Sequence, residues 1–189
     1  MSQAAAKNTQ SSKFSVREIC YTGLFAAVIA VMAQISIPMP LGVPMTMQTF
    51  AITLAAVVLG SKLSAMASLV YLILGAVGVP VLASFSGGID QFVGPTGGFL
   101  ISFPLMAYII GLGVEHRNAF KGAFPLAVVV GTVVNYIVGV ILFVIVAHST
   151  VAVAISACVL PFIPTAILKA VLACAIGLNI RKRIPGLKA

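Results

Sequence analysis

The chain has 189 residues, of which 61% are hydrophobic and only 7% are charged. A soluble domain typically carries about a quarter charged residues, so this composition excludes an ordinary soluble domain and indicates a protein embedded in lipid. The net charge of +8 comes from eleven cations against three acids. Because the cations are spread thinly between apolar runs, they indicate orientation in a bilayer rather than nucleic-acid binding. Three cysteines without paired spacing argue against a disulfide framework or a metal site.

The apolar runs predict an all-α integral membrane protein with six transmembrane helices, since about 20 apolar residues of helix cross a bilayer core. Residues 1–15 are polar and predict a flexible cytoplasmic N-terminus rather than a secretory signal. Pro161 and Pro164 divide the last run, so residues 149–162 become an outer cap. No repeat is apparent, so residues 16–189 are expected to form a single membrane domain. Its predicted helices are 19–37, 43–59, 63–82, 99–114, 123–147 and 164–180.

The positive charges predict the orientation of this domain. Ten of the eleven Lys and Arg residues fall on one side of a six-helix chain, and the loops on the other side carry none. The positive-inside rule makes the charged side the cytoplasm, so both termini are cytoplasmic in a multi-pass protein of the bacterial cell membrane. The ten cations are Lys7, Lys13, Arg17, Lys62, Arg117, Lys121, Arg181, Lys182, Arg183 and Lys188.

Lys169 is the cation that breaks this pattern. If the last helix begins near Pro164, Lys169 lies about five residues inside it, roughly 7 Å below the outer surface. A charge at that depth is expensive, and such residues are functional candidates. One interpretation is that the side chain snorkels to the outer headgroups. The other is a cationic anchor for an anionic ligand such as a carboxylate.

A few other polar residues share the predicted depth of Lys169. Gln48 and Thr49 are near the start of the second helix, Tyr71 is in the third, and Asn135 and Tyr136 are in the fifth. Each is explained on its own by an interhelical hydrogen bond, because an unpaired polar group in lipid costs several kcal/mol. Taken together on an apolar background, they resemble the lining of a small-molecule site.

The connection of residues 75–98 is rich in glycine and lies on the predicted outer side. It interleaves Phe85 and Phe92 with Ser86 and Asp90. A long surface connection is one interpretation. A lid that folds over a pocket, with aromatic faces and backbone groups against the ligand, is the favoured one, because long loops in compact domains are often functional. No Gly-Lys-Ser/Thr follows, so this is not a phosphate-binding loop.

Helix 1 carries Ala26 and Ala30 four residues apart, a spacing that lets another helix approach closely. Alanine is abundant in this chain, and Ala51 and Ala55 have the same spacing. The pair therefore becomes informative only once a partner is proposed.

Several stretches together resemble the biotin-specific substrate-binding (S) component of energy-coupling factor (ECF) transporters, the BioY family. The similarity runs from helix 1 to helix 6, and GPTGG following LGAVGVP is a specific combination. The tail LPFIPTAILKA, at 160–170, matches the family's proline-then-lysine pattern. The other stretches are AQISIP at 33–38, VPMTMQTF at 43–50, YLILGAVGVPV at 71–81, FSGG at 85–88 and GPTGGFL at 94–100.

The resemblance implies an S-component fold: six helices with a substrate pocket near the outer surface, closed by loops. It implies a transmembrane coupling subunit and two cytoplasmic ATPases as partners, with Ala26 and Ala30 docking the coupling subunit. The S component is thought to tip over in the membrane to release substrate inside. The family usually has an aspartate three residues before the lysine, where this chain has Ala166. Asp90 is a candidate to compensate.

We therefore predict high-affinity capture of biotin at the extracellular side, followed by uptake. The protein itself does no covalent chemistry, and it needs no covalent cofactor and no metal. Either the carboxylate or the ureido ring of biotin can meet the lysine, and a charge argument favours the carboxylate, since an ammonium group has three donors and no acceptor. The predicted ligand-binding residues are Lys169, Gln48, Thr49, Tyr71, Phe85, Ser86, Asp90, Phe92 and Asn135.

Other functions stay open at this point. The same architecture suits an S component for another vitamin, of the thiamin or riboflavin class, or a solitary biotin transporter. An intramembrane enzyme is disfavoured, because no HExxH or Gly-x-Ser-x-Gly occurs and His116 and His148 fall on opposite predicted sides. A channel is disfavoured because the inner halves of the helices offer little polar lining.

Overall fold

The computed structural model describes residues 15–39, 42–118 and 122–184. These residues form eight helices and one two-stranded hairpin. The predictions for residues 1–14 and for Lys121 and Lys188 lie outside the described residues. The elements in chain order are α1 (Val16–Ala33), β1 (Ser36–Ile37), β2 (Met45–Thr46), α2 (Gln48–Leu59), α3 (Ser61–Ala76), α4 (Asp90–Val93), α5 (Gly97–Glu115), α6 (Ala123–Val146), α7 (Val151–Cys158) and α8 (Ile163–Arg183).

A helix occupies each of the six predicted places, namely α1, α2, α3, α5, α6 and α8. Among the described residues, four helical stretches are long and apolar enough to cross a membrane: α1, α5, α6 and the continuous stretch Val151–Arg183 that contains α7 and α8. The apolar helices α2 and α3 are shorter, with 12 and 16 residues. A 12-residue helix is about 18 Å long, less than a bilayer core, so the count of six crossings stays a prediction.

The outer face of α6 shows how the bundle meets lipid. Val129, Val133, Ile137, Ile141 and Ile145 recur every four residues, and each is about half exposed or more. Residues four apart lie on one face of a helix, so these side chains form a continuous apolar stripe. Such a stripe is unfavourable in water and is expected where hydrocarbon surrounds the protein. The chain is therefore a membrane-spanning protein.

A short hairpin at one end of the bundle is an addition to the predicted helical architecture, and it corrects two helix boundaries. Ser36 pairs with Thr46 and Ile37 with Met45, in antiparallel register. Because these residues are extended, helix 1 ends at Ala33 rather than 37, and helix 2 begins at Gln48 rather than 43. The third helix ends at Ala76 rather than 82, since Gly78 has a φ of +99°, which no helix residue adopts.

Helix α2 is the centre of the bundle. Every residue of it except Thr49 is buried, and it packs against α1, α3, α5 and α8. A helix that is apolar on all sides is expected in such a position. Because α2 is short, its first turn, with Gln48 and Thr49, lies inside the bundle beneath the hairpin and not at the end of the bundle.

The corner between α2 and α3 is a tight turn at Gly60, where φ is +85°. The Glu115 carboxylate at the end of α5 accepts hydrogen bonds from the backbone N–H of Ser61, at 2.7 Å, and from the Ser61 hydroxyl. A carboxylate is favourable at the start of a helix, where N–H groups lack partners. Helix α5 therefore fastens this corner.

The cations of the described residues, Lys169 apart, gather at the end of the bundle that holds this corner. The apolar cluster around Leu59 and Leu63 also contains Tyr21 of α1 and Ile180 of α8, so these helix ends meet. Nη1 of Arg181 donates to two carbonyl oxygens at the end of α2, at 3.2 and 3.0 Å. The six cations of this end are Arg17, Lys62, Arg117, Arg181, Lys182 and Arg183.

The close contact of α5 with the corner generates a test of the packing. A Cβ added at Gly111 would lie 2.4 Å from backbone atoms of Ser61, which cannot move without moving α3, whereas a Cβ at Gly23 of α1 meets nothing within 4 Å. We expect Gly111→Ala to lower the free energy of unfolding by about 1–3 kcal/mol through overpacking. Gly23→Ala should leave it unchanged or raise it, as expected for replacement of a helical glycine. Thermal unfolding in detergent measures both, and equal melting temperatures would contradict this packing.

Candidate ligand-binding cavity

A cavity of about 380 Å³ opens at the end of the bundle opposite the cations. Pockets that hold small molecules are typically of about this size or larger. The connection between α3 and α5 contributes the largest share of its lining, and the hairpin, α2, α5, α6 and the α7–α8 region supply the rest. Segments from five parts of the chain thus meet the α3–α5 connection around one space.

Lys169 reaches this cavity from the second turn of α8. Its Nζ atom donates a hydrogen bond of 2.6 Å to the backbone carbonyl oxygen of Thr46, the last residue of β2. That carbonyl is the one hydrogen-bond partner of the amino group among the described residues. An ammonium group carries three N–H donors, so two remain for a bound molecule. The hairpin therefore orients the amino group towards the cavity rather than towards the headgroups.

Gln48, at the first position of α2, is held by hydrogen bonds on both of its amide atoms. Its Oε1 atom accepts from the Thr46 hydroxyl at 2.8 Å, and its Nε2 atom donates to the Tyr71 hydroxyl at 2.5 Å. Thr46 thus contacts both Lys169 and Gln48, one through its carbonyl and the other through its hydroxyl. The hairpin positions two polar side chains of the cavity at once.

Asn135 lines the cavity from the middle of α6 and is 2% exposed. Its Nδ2 atom donates to the carbonyl oxygen of Phe99, at 3.0 Å, and to the hydroxyl of Ser102, at 2.8 Å, both on α5. Both amide hydrogens are therefore used in holding α5 against α6. The carbonyl oxygen of the side chain accepts no hydrogen bond from the described residues, which leaves it free to accept one from a ligand.

The apolar part of the cavity comes from aromatic and aliphatic side chains. Phe99, Leu100 and Phe103 line it from successive turns of α5. Phe99 also contacts Tyr136 of α6 edge to face, with ring centroids 6.5 Å apart. Leu82 contributes from the glycine-rich connection. A largely apolar cavity with a few fixed polar groups is typical of a site for a small, partly polar molecule.

Ala166 borders the space next to Lys169. It lines the main cavity and also a smaller adjoining one of about 20 Å³, which Thr132, Asn135 and Lys169 border too. A longer side chain at this position would extend into the polar end of the site. The alanine that departs from the family pattern therefore leaves room beside the amino group, and the exposed Asp90 lines the same main cavity from the start of α4.

The structure brings six of the nine predicted ligand-binding residues together and leaves three off the cavity lining. Tyr71 is fully buried behind Gln48. Phe85 is 70% exposed on the outer surface, and Phe92 packs partly buried against the core. The residues on the cavity are Lys169, Gln48, Thr49, Ser86, Asp90 and Asn135.

Sequence reasoning missed most of the apolar lining and one polar residue that orients others. Phe99, Phe103 and Phe162 are ordinary apolar residues in apolar runs, so no sequence pattern distinguishes them from lipid-facing ones. The role of Thr46 was not predicted, because residues 43–59 were predicted as a helix and Thr46 lies in a strand. Tyr136 was identified in the sequence only as a polar residue at the depth of Lys169. For the other lining residues, the one indication in the sequence was the glycine-rich connection, which supplies much of the lining.

The docking pair predicted on α1 does not lie on the surface as a pair. Ala26 is 3% exposed and packs in the main core, and Ala30 is partly buried against the same core. The small residues that α1 exposes are Gly23 and Ala27, which also lie four apart. A helix approaching from lipid would meet those two first.

The fold and the cavity define a helical membrane protein with a small-molecule site at one end of its bundle. Comparison with known proteins agrees. The sequence profile of the BioY family matches residues 6–186. The biotin transporter BioY of Thermotoga maritima is 41% identical over 168 residues, which cover 88% of this chain and 97% of that protein. The chain belongs to the BioY family, so the resemblance seen in the sequence is confirmed.

Two further similarities extend over nearly the whole chain. The biotin transporter BioY of Rhizobium etli is 34% identical over 186 residues, covering 93% of this chain and 98% of that one. A crystal structure of the S-component for biotin from an ECF-type ABC transporter has a TM-score of 0.78 and 27% sequence identity, covering 94% of this chain and 95% of that one. The predicted S-component fold is thereby confirmed.

The hydrogen bond between Gln48 and Tyr71 tests which of the two contacts the ligand. Tyr71→Phe removes a hydroxyl that faces Gln48 and not the cavity, so biotin affinity should stay within about threefold, with a stability loss of about 1 kcal/mol. Gln48→Met removes a group on the cavity and strands the Tyr71 hydroxyl, so affinity should fall about tenfold or more. Isothermal titration of the purified variants measures both, and the reverse ranking would place Tyr71 in contact with the ligand.

Proposed function

We propose that this chain binds biotin in the cavity described above and serves as the substrate-binding component of an ECF-type transporter for biotin uptake. Membership of the BioY family and the names of the two relatives described above, both biotin transporters, support the ligand. The likeness to an S-component for biotin supports the role within a larger transporter.

Lys169 carries this proposal. A single cation with two unused donors, on a mostly apolar cavity, is complementary to the one carboxylate of biotin. The side-chain carbonyl oxygen of Asn135 is complementary to a ureido N–H. The aliphatic chain and the sulfur ring then lie against Phe99 and Phe103.

The charge distribution supports the orientation. Six of the seven cations among the described residues lie at the end opposite the cavity, which the positive-inside rule assigns to the cytoplasm. The cavity then opens to the exterior, both termini are cytoplasmic, and α1, α2, α3, α5, α6 and α8 supply six crossings. The short α2 crosses only part of the bilayer, and the hairpin completes the outer part of that crossing.

The partners we propose are a transmembrane coupling subunit and two cytoplasmic ATPases, which supply the energy of ATP hydrolysis that this chain does not. The exposed face of α1 is the proposed contact with the coupling subunit. Gly23 and Ala27 lie on that face, and the partly buried Ala30 borders it. Small residues there allow a helix backbone to approach closely.

Replacing Lys169 tests the ligand site directly. We expect Lys169→Ala to weaken biotin binding about 10- to 100-fold, since a hydrogen bond to a charged group contributes roughly 1.5–3 kcal/mol. Lys62→Ala, which removes an exposed lysine at the opposite end, is the matched control and should bind as the wild type does. Equilibrium binding of labelled biotin, with thiamin and riboflavin as competitors, measures the affinity.

Comparing the binding of biotin with that of its primary amide shows which end of the ligand contacts Lys169. The wild type should bind biotin more tightly than its amide, and the Lys169→Ala variant should bind both equally. If the variant retains the preference, the carboxylate lies elsewhere in the cavity. If the wild type binds thiamin or riboflavin and not biotin, the proposed ligand is wrong.

Bulky residues on α1 test the docking surface. We expect Gly23→Leu and Ala27→Leu to abolish co-purification with a co-expressed ECF module, because a leucine side chain would hold the partner helix away. Biotin binding by the isolated variants should be unchanged. Ala175→Leu, an exposed position on α8, is the control and should co-purify normally. Normal co-purification of both α1 variants would show that this face of α1 is not the contact with the coupling subunit.

A further inference from the structure

Gln34 lies where α1 ends, behind the segment of residues 81–86, which we call the rim segment. Leu82, Ala83, Ser84 and Ser86 of this segment line the cavity, and Gln34 does not. Gln34 belongs to the stretch 33–38 that resembles the family. It lies neither on the cavity nor on the proposed docking face, so neither of these surfaces explains its presence in that stretch. Its side chain instead faces the back of the rim segment.

The side-chain amide of Gln34 is fully used in holding the rim segment. The two hydrogens of its Nε2 atom are shared among three carbonyl oxygens, those of Val81 and Leu82, each at 3.1 Å, and that of Ala30 within α1, at 3.0 Å. Its Oε1 atom accepts a 2.8 Å hydrogen bond from the backbone N–H of Phe85. One side chain thus satisfies three backbone groups of a segment about fifty residues away.

The rim segment needs such support because its backbone is unfavourable on its own. Ser84 and Phe85 both have a φ of +57°, in the left-handed region that residues other than glycine adopt rarely. Conformations of this kind persist only where the surroundings impose them. A hydrogen bond between the Ser36 and Ser84 hydroxyls, at 2.9 Å, is a second attachment to the hairpin. Phe85, mostly exposed, makes little contact that would hold the turn.

We propose that Gln34 is a positioning residue, which fixes the rim segment against the cavity and thereby slows the exit of bound biotin. This inference rests on the proposed function for the identity of the ligand. Gln34 acts through Leu82 and its neighbours, which touch the cavity, and not by contact with the ligand. Loss of its hydrogen bonds frees the rim segment to leave the left-handed conformation and opens the cavity on that side.

Gln34→Glu is the most specific variant, because it keeps the shape of the side chain and replaces the amide nitrogen with a carboxylate oxygen. That oxygen cannot donate to the three carbonyl oxygens and is repelled by them. Gln34→Ala is a second variant that removes the group without introducing charge. Asn179→Asp is the matched control: Asn179 also donates its amide to the carbonyl four residues earlier, at 2.9 Å, but at the opposite end of the bundle.

The first measurement is the rate of biotin dissociation from purified protein, by chasing labelled biotin with excess unlabelled biotin. We expect both Gln34 variants to release biotin about tenfold faster, with an association rate within about twofold of the wild type. Asn179→Asp should release it at the wild-type rate. A residue that only stabilises the fold would lower the melting temperature of the ligand-free protein without this selective change in dissociation.

The second measurement reports the rim segment itself. The chain contains no tryptophan, so Phe85→Trp introduces a single fluorescent reporter. Its fluorescence anisotropy should fall in the Gln34→Glu background and stay unchanged in the Asn179→Asp background.

Unchanged dissociation rates in both Gln34 variants overturn the inference, as does loss of folding in both, which would make Gln34 a structural residue only. Failure of the wild type to bind biotin is a different outcome and overturns the proposed function instead.

Discussion

The structure depends on the hydrogen bonds that hold α8 alongside α2. At the outer end, the Lys169 amino group donates to the carbonyl of Thr46, just before α2 begins. At the inner end, Arg181 donates to the carbonyls of Val57 and Val58, where α2 ends. In lipid, a cation and a free carbonyl each need a polar partner, so these contacts satisfy both sides. The two helices therefore run side by side in the same direction, and the outer contact places a cation in the cavity.

The hairpin makes this arrangement possible. Because β1 and β2 occupy the outer part of the bundle, α2 begins deeper, and its first residue, Gln48, faces the cavity instead of the surface. Thr46 then orients Lys169 and Gln48 together. The glycine-rich connection covers the same space from the other side, and Gln34 holds that connection from the end of α1. The cavity is thus formed where these short, irregular segments meet the long helices α5, α6 and α8.

The two ends of the bundle differ in their charges. The end with the α2–α3 corner carries most of the cations, and there Glu115 accepts a hydrogen bond from the first N–H of α3. The cavity end carries few charges, so the amino group of Lys169 is the one cation on a largely apolar lining among the described residues. The exposed apolar stripe of α6 faces lipid between the two. The cavity and the exposed face of α1, which we propose for ligand and partner, are therefore separate surfaces of the same bundle.

The sequence by itself determined the membrane class and the six helical places, and it singled out Lys169, which the structure places on the cavity, because apolar runs and an isolated charge in one of them are local features. It also led to the family through short stretches such as 94–98. It did not determine the hairpin, because two pairs of residues in register are not visible as a pattern. It placed Tyr71 and Ala26 on functional surfaces, whereas packing buries both. Which face of a helix meets lipid, core or cavity depends on its neighbours, and in a chain where nearly every face is apolar, only tertiary structure decides it.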